Sequence, residues 1–165
     1  MKILIDADGC PVVDITVQMA KKYQIECILL CDTSHFFERD GAEAIIVAKG
    51  PDSVDFALVN LVNKGDVVIT QDYGLAAMCL AKGALPISQN GMIYSKDNMD
   101  ALLMQRHNLR KIRMAGGRHK GMTKRSKEQN QEFEAVLKSV LEGKRKKEEN
   151  NDRFTGKEFY RKTTR

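Results

Sequence analysis

Ile3-Leu4-Ile5-Asp6-Ala7-Asp8-Gly9-Cys10-Pro11 is the stretch from which the fold can be read. Three unbroken apolar residues suit a strand buried on both faces. Asp6 and Asp8 stand where that strand ends, and Pro11 suits the first turn of a helix. Val12, Ile15, Thr16, Met19, Ala20 and Tyr23 then recur near the helical period and predict an inward stripe. A buried strand, a pair of carboxylates and an amphipathic helix make the opening of an α/β unit.

The alternation continues outward from this unit. Cys27-Ile28-Leu29-Leu30-Cys31 predicts a second buried strand and Ala44-Ile45-Ile46-Val47-Ala48 a third, with a polar connection from Asp32 to Gly41. Pro51 and Asp52 open a helix with Val54, Leu58, Leu61 and Val62 on its inner face, and Gly65 stops it. Val67-Val68-Ile69-Thr70 predicts a fourth strand, and Asp72 starts a helix through Leu75, Ala76, Cys79 and Leu80. Pro86-Ile87 and Met92-Ile93-Tyr94 suggest an edge hairpin around Asn90-Gly91. A long helix over 97–113 follows, then a Gly- and base-rich loop from Met114 to Lys127. The last helix carries Phe133, Val136, Leu137, Val140 and Leu141 at i, i+3, i+4, i+7 and i+8. The expected architecture is α/β, with a mainly parallel central sheet flanked by helices and right-handed crossovers. Residues 1–143 are expected to form one domain with a C-terminal helix, and 144–165 a basic, disordered tail.

Composition agrees with a soluble globular chain. Of 165 residues, 42% are hydrophobic and 30% charged. No apolar run reaches the ~20 residues of a membrane helix. Met1-Lys2-Ile3-Leu4-Ile5-Asp6 meets a carboxylate too early for a signal peptide, so the cytoplasm is the expected location. Cys10, Cys27, Cys31 and Cys79 form no Cys-x-x-Cys pair, and the last three sit in apolar runs as small core residues. The net charge of +5 conceals a division. Residues 1–105 hold 8 basic and 14 acidic residues, net −6, whereas 106–165 hold 19 and 8, net +11. An acidic body joined to a basic arm points to a polyanionic partner.

In parallel α/β sheets, sites form beyond the carboxyl ends of the strands. That rim collects Asp6 and Asp8 after the first strand, Thr70 and Asp72 after the fourth, and Asp52 and Asp55 at a helix start. Packed like charges are costly unless a cation joins them. Oxygen ligands of this kind suit Mg²⁺ or Mn²⁺, which can activate water at a phosphodiester. Each aspartate also has a plain structural role open to it. Asp72 can be a helix N-cap, and Asp52 with Asp55 a capping pair. Asp6 is the hardest to explain that way, because it ends a buried strand.

Asp6-Ala7-Asp8-Gly9-Cys10-Pro11-Val12, Gly50-Pro51-Asp52-Ser53-Val54-Asp55 and Gly65-Asp66-Val67-Val68-Ile69-Thr70-Gln71-Asp72-Tyr73-Gly74-Leu75-Ala76 resemble successive motifs of the bacterial YaiI/YqxD family. Lys82-Gly83-Ala84, Tyr94-Ser95, Asp97-Asn98, Arg106 and Gly116-Gly117-Arg118 extend the resemblance across about residues 1–141. The family is similar to PIN-like domains. The resemblance therefore implies a PIN-like three-layer sandwich whose strand-end carboxylates hold a divalent metal for RNA cleavage. It implies Asp6, Asp55 and Asp72 as metal ligands, Asp8 as an auxiliary carboxylate and Thr70 beside them. Phe56 stands where the family often has a further acidic residue, and Gly121-Met122 where Gly-Pro is usual.

The basic half supplies Arg113, Arg118, Lys120, Lys124 and Arg125 as candidate contacts to a nucleic-acid backbone. Three functions follow as expectations: a metal-dependent ribonuclease using Asp6, Asp8, Asp55 and Asp72, a non-catalytic RNA- or ribosome-binding module, and an aspartate-nucleophile phosphatase. The last rests on Asp6-Ala7-Asp8-Gly9 alone. Cys10-Pro11 replaces the hydroxyl residue that chemistry uses, and Gly65-Asp66 precedes the fourth strand instead of following it.

Overall fold

A computed structural model describes residues 1–34, 38–114 and 124–162, with backbone alone for Ile112, Arg113, Arg145 and 147–162. Among them the order is β1 (Ile3–Asp6), α1 (Val13–Tyr23), β2 (Cys27–Asp32), β3 (Glu43–Val47), α2 (Ser53–Leu61), β4 (Val67–Ile69), α3 (Tyr73–Ala81), β5 (Leu85–Ile87), α4 (Lys96–Met114) and α5 (Lys127–Lys162). The five strands form one sheet in the order β3-β2-β1-β4-β5. Every ladder is parallel, with Ile3 opposite both Cys27 and Val67. The molecule is the expected three-layer α/β sandwich.

The two-residue side-chain period of β1 divides the core. Ile3 and Ile5 face one side with Val13, Val17 and Ala20 of α1 and Phe133, Leu137 and Leu141 of α5. Leu4 faces the other side with Leu58, Val62, Leu75 and Cys79 under α2 and α3. A third cluster of Ala76, Tyr94 and Met99 fastens α4 outside α3. All three residues of β4 are buried, as a central strand covered on both faces requires.

Two elements differ from expectation. The stretch Ala44-Ile45-Ile46-Val47-Ala48, expected as a buried strand, lies at the sheet edge with Ile46 43% exposed. Its apolar run reflects one covered face and strand propensity, not burial on both. The edge hairpin reduces to a single antiparallel bridge between Ile87 and Ile93, formed on the outer edge of β5, the side away from β4. α5 runs as helical backbone to Lys162, and position 144, the expected start of the tail, falls within it. The helix-favouring Lys, Arg and Glu residues there explain why a polar stretch can carry on a helix begun by packing.

Candidate functional site

The strand order places a topological switch point between β1 and β4. From β1 the chain moves toward β2 and β3, and it later returns to the other side of β1 as β4 and β5. Connections diverge there and leave a crevice beyond the carboxyl ends of the two strands. Asp6 ends β1, and Thr70-Gln71-Asp72 follows β4. A cleft of about 320 Å³ opens at this point, lined by Asp6, Asp8, Cys10, Thr70, Asp72 and Gln89 among others.

Thr70 organises the cleft. Its hydroxyl donates to Asp6 Oδ2 at 2.9 Å and accepts the backbone N–H of Asp72 at 3.0 Å. Its own carbonyl accepts the Tyr94 hydroxyl at 3.4 Å. Tyr94 is buried and meets the Tyr73 ring edge to face, with centroids 6.0 Å apart. The end of β4 is thus tied to the packing beneath α4.

Burial pushes the Asp6 carboxyl up to about 6. The Thr70 hydrogen bond works against that rise, while the charges of Asp55, Asp8 and Asp72 add to it. Asp55 is also raised, first by burial and then by Asp72 and Asp52, with Arg106 opposing. The charges of Asp8, Asp55 and Asp72 thus reach Asp6, and those of Asp72 and Asp52 reach Asp55. Asp55 stands outside the residues that line the cleft itself.

Asp72 performs the structural role open to it. It is the N-cap of α3, its Oδ1 accepting N–H groups from Gly74 at 2.6 Å and Leu75 at 3.0 Å. The Arg106 guanidinium closes on the same carboxylate, Nη1 to Oδ1 and Nη2 to Oδ2, both at 3.3 Å. The capping pair expected of Asp52 and Asp55 does not form: Asp52 lies in the left-handed region at φ 53° and makes no side-chain cap. Asp8 accepts the N–H of Asp32 through Oδ2 at 3.1 Å, which brings the end of β2 to the rim. Among the described residues, no group of three or more His, Cys, Asp or Glu side chains is arranged to hold a metal ion. Both oxygens of Asp72 are engaged by its helix and by Arg106. The cleft as arranged does not present a ready set of ligands for Mg²⁺ or Mn²⁺.

Asp66 shows what a buried aspartate does elsewhere in this fold. It sits before β4, at the opposite end of the strands, and accepts N–H groups from Lys2 and Asn63, each at 2.9 Å. It cannot contribute to the cleft as the phosphatase reading would need. Cys10 faces the cleft, but burial pushes its thiol up to about 11, which leaves it protonated and a poor nucleophile.

Of the basic candidates, Arg118 and Lys120 lie outside the described residues, as does the Arg113 side chain. Lys124 is exposed. The Arg125 guanidinium is occupied within the fold. It donates to Asn130 Oδ1 at 2.6 Å, Asn90 Oδ1 at 2.9 Å, the Gln89 carbonyl at 2.5 Å and the Gln129 carbonyl at 3.3 Å. It fastens the start of α5 to the turn after β5. Sequence reasoning missed the cleft residues Gln71 and Gln89, whose side chains are hydrogen-bonded to each other, and the pairing of Arg106 with Asp72.

Among known proteins, residues 4–143 match the family model described as "Uncharacterized BCR, YaiI/YqxD family". A UPF0178 protein of Exiguobacterium sibiricum is 49% identical over 141 residues, covering 86% of this chain and 96% of that protein. One of Ruminiclostridium cellulolyticum is 53% identical over 137 residues, covering 83% and 90%. One of Clostridium acetobutylicum is 47% identical over 143 residues, covering 86% and 97%. No solved structure matches. With the family model and these relatives each spanning most of its length, the chain belongs to the YaiI/YqxD family.

Proposed function

We propose that the chain hydrolyses phosphodiester bonds, with RNA the favoured substrate and a PIN-like fold as its frame. The observation that carries this reading is Asp6: a carboxylate in a cleft at the switch point, raised to about 6 and held in position by Thr70. A base poised near working pH is what removal of a proton from water requires. In the proposed step a water oxygen attacks phosphorus while its proton passes to the Asp6 carboxylate. The bond from phosphorus to the leaving oxygen breaks, and solvent protonates that oxygen. Asp8 lines the same cleft, and Asp72 lines it too while capping α3. Asp6, Asp55 and Asp72, the ligands that the family resemblance implies, are not gathered to hold a divalent cation in this arrangement, so no step is routed through one.

The engagement of Asp72 as a cap and ion-pair partner favours one second reading, a non-catalytic RNA-binding module in which the aspartates serve the fold. One experiment separates the two. Mixed-sequence single-stranded RNA is incubated with the wild type, Asp6→Asn and Asp72→Asn, in Mg²⁺, in Mn²⁺ and in chelator. The hydrolytic reading expects cleavage by the wild type and its loss in Asp6→Asn. Cleavage that survives both substitutions, or none by the wild type in any condition, overturns it. Thermal shift with the same ions tests that misfit: a midpoint raised in the wild type and unmoved in Asp6→Asn would show that the carboxylates regroup around a cation.

A further inference from the structure

Arg106 is shared between two clefts. On one side it pairs with Asp72 at the lip of the carboxylate cleft. On the other it lines a groove of about 600 Å³ with Leu103, His107, Arg110 and Met114. These five residues fall at i, i+3, i+4, i+7 and i+11 along α4, so they form one continuous helix face. The face is unusual for a solvated helix. Two arginines and an imidazole are flanked by exposed apolar side chains, with Met114 80% exposed. No acidic residue lines the groove among the described residues.

We infer that this face of α4 is the track on which a single-stranded RNA lies as it enters the carboxylate cleft, with Arg106 as the residue that hands its phosphate over. The occupant follows from charge and shape together. The guanidiniums of Arg106 and Arg110, one turn apart, offer forked donors that match phosphate oxygens. Leu103 and Met114 offer apolar surface to unstacked bases, which a duplex would keep turned inward. Arg106 sets the direction of travel. Its ion pair with Asp72 is half exposed, 52% on the arginine side chain and 36% on the aspartate, so little desolvation holds it in place. An incoming phosphate competes with Asp72 for the same forked donors. Transfer of Arg106 to the phosphate draws the strand toward Asp6 and releases the Asp72 carboxylate from its counter-charge. Gly74 leaves room for this pair: a Cβ there would stand 3.0 Å from Asp72 Oδ1 and 3.5 Å from Arg106 Nη1.

The inference rests on the RNA reading of the cleft, and binding is tested apart from cleavage. Binding of a fluorescent single-stranded RNA 12-mer of mixed sequence is measured by anisotropy at several salt concentrations, in an Asp6→Asn background. Arg106→Ala and Arg110→Ala should each weaken binding about tenfold. The double variant should flatten the slope of log affinity against log salt by about 1.4, at roughly 0.7 per lost phosphate contact. Lys22→Ala, at the far end of α1, should change neither. Leu103→Ala should weaken binding with the salt slope intact, as a lost base contact would. A duplex of the same sequence should bind more weakly than the single strand. Affinity and slope unchanged in the arginine double variant overturn the track. Circular dichroism and urea midpoints of each variant show whether a loss comes from folding. If the wild type cleaves nothing yet these variants lose RNA, the track stands and the hydrolytic reading fails. If the wild type cleaves and they bind normally, the reverse holds.

Discussion

Asp6 concentrates the conflict between folding and chemistry in this molecule. Its folded proton affinity lies near 6 against an ordinary value of 3.8, with burial the main cause. The folded state therefore binds this proton more tightly than the unfolded one. The associated stability is complete below about pH 4 and is lost as pH rises through about 6. Asp6→Asn removes that titration while keeping an oxygen to accept the Thr70 hydroxyl. It should stabilise the chain at pH 7.5 by at most about 3 kcal/mol and by almost nothing at pH 4. Urea midpoints at the two pH values check this, and an equal shift at both would contradict the assignment of Asp6 as the strained group. A base with this affinity also predicts an acid limb near pH 6 in the rate of RNA hydrolysis, rate rising with pH as the carboxylate ionises. Because the Thr70 hydrogen bond holds the affinity down, Thr70→Val should move that limb to higher pH. A limb that stays in place in Thr70→Val would separate Thr70 from the base.

At the scale of elements, the site exists because helices clamp strand ends from both faces. α5 contributes through Phe133, Leu137 and Leu141, all fully buried against β1 and its neighbours. Phe133→Ala should cost about 3–5 kcal/mol, as aromatic truncations in packed cores do, and chemical denaturation measures it. The turn after β5 must then pass close beneath α5. Gly91 has φ 82°, and a Cβ there would meet Val136 Cγ2 at 3.2 Å and the Glu132 carbonyl at 3.3 Å. Gly91→Ala should therefore destabilise by about 1–3 kcal/mol through backbone strain and this contact together. A neutral effect would mean that α5 can lift from the turn at no cost, and Arg125 with it. Much of this layer was legible in the sequence. The runs at Ile3, Cys27 and Val67 read as strands because burial on both faces leaves no polar residue inside them. Asp72 read as a cap because its position before a helix is local information. The edge position of β3 was not legible, since an apolar run does not encode which strand lies beside it. Nor were the bonds from Arg125 to Gln89 and Asn90 or from Arg106 to Asp72, which join residues 34 to 36 apart. Such pairings follow from strand order and helix docking, which no local spacing carries.

For the whole molecule, charge is divided along the chain, and the described packing of α5 lies in its first half. Among the described residues, the buried side chains of α5, Phe133, Leu137 and Leu141, all precede Lys144, whose ammonium reaches the Gly65 carbonyl. Residues 145–165 carry 8 basic and 4 acidic residues, so ending the chain after Lys144 lowers the net charge from +5 to +1. On this view the sandwich with α5 up to Lys144 supplies cooperative stability, and the residues after Lys144 supply long-range attraction for polyanions. A chain ended after Lys144 should keep its urea midpoint free energy within about 0.5 kcal/mol of the full chain, the range of changes remote from packed features. It should leave a heparin column at distinctly lower salt. Its affinity for RNA at low salt should fall through slower association, because remote charge acts on encounter more than on the docked complex. Arg106 and Arg110 remain in the shortened chain, so the specific track on α4 should survive the truncation. Stopped-flow association and dissociation rates separate these effects. A fall in urea stability well beyond that range would place part of the folding unit beyond Lys144, and a loss confined to dissociation would place part of the RNA site there.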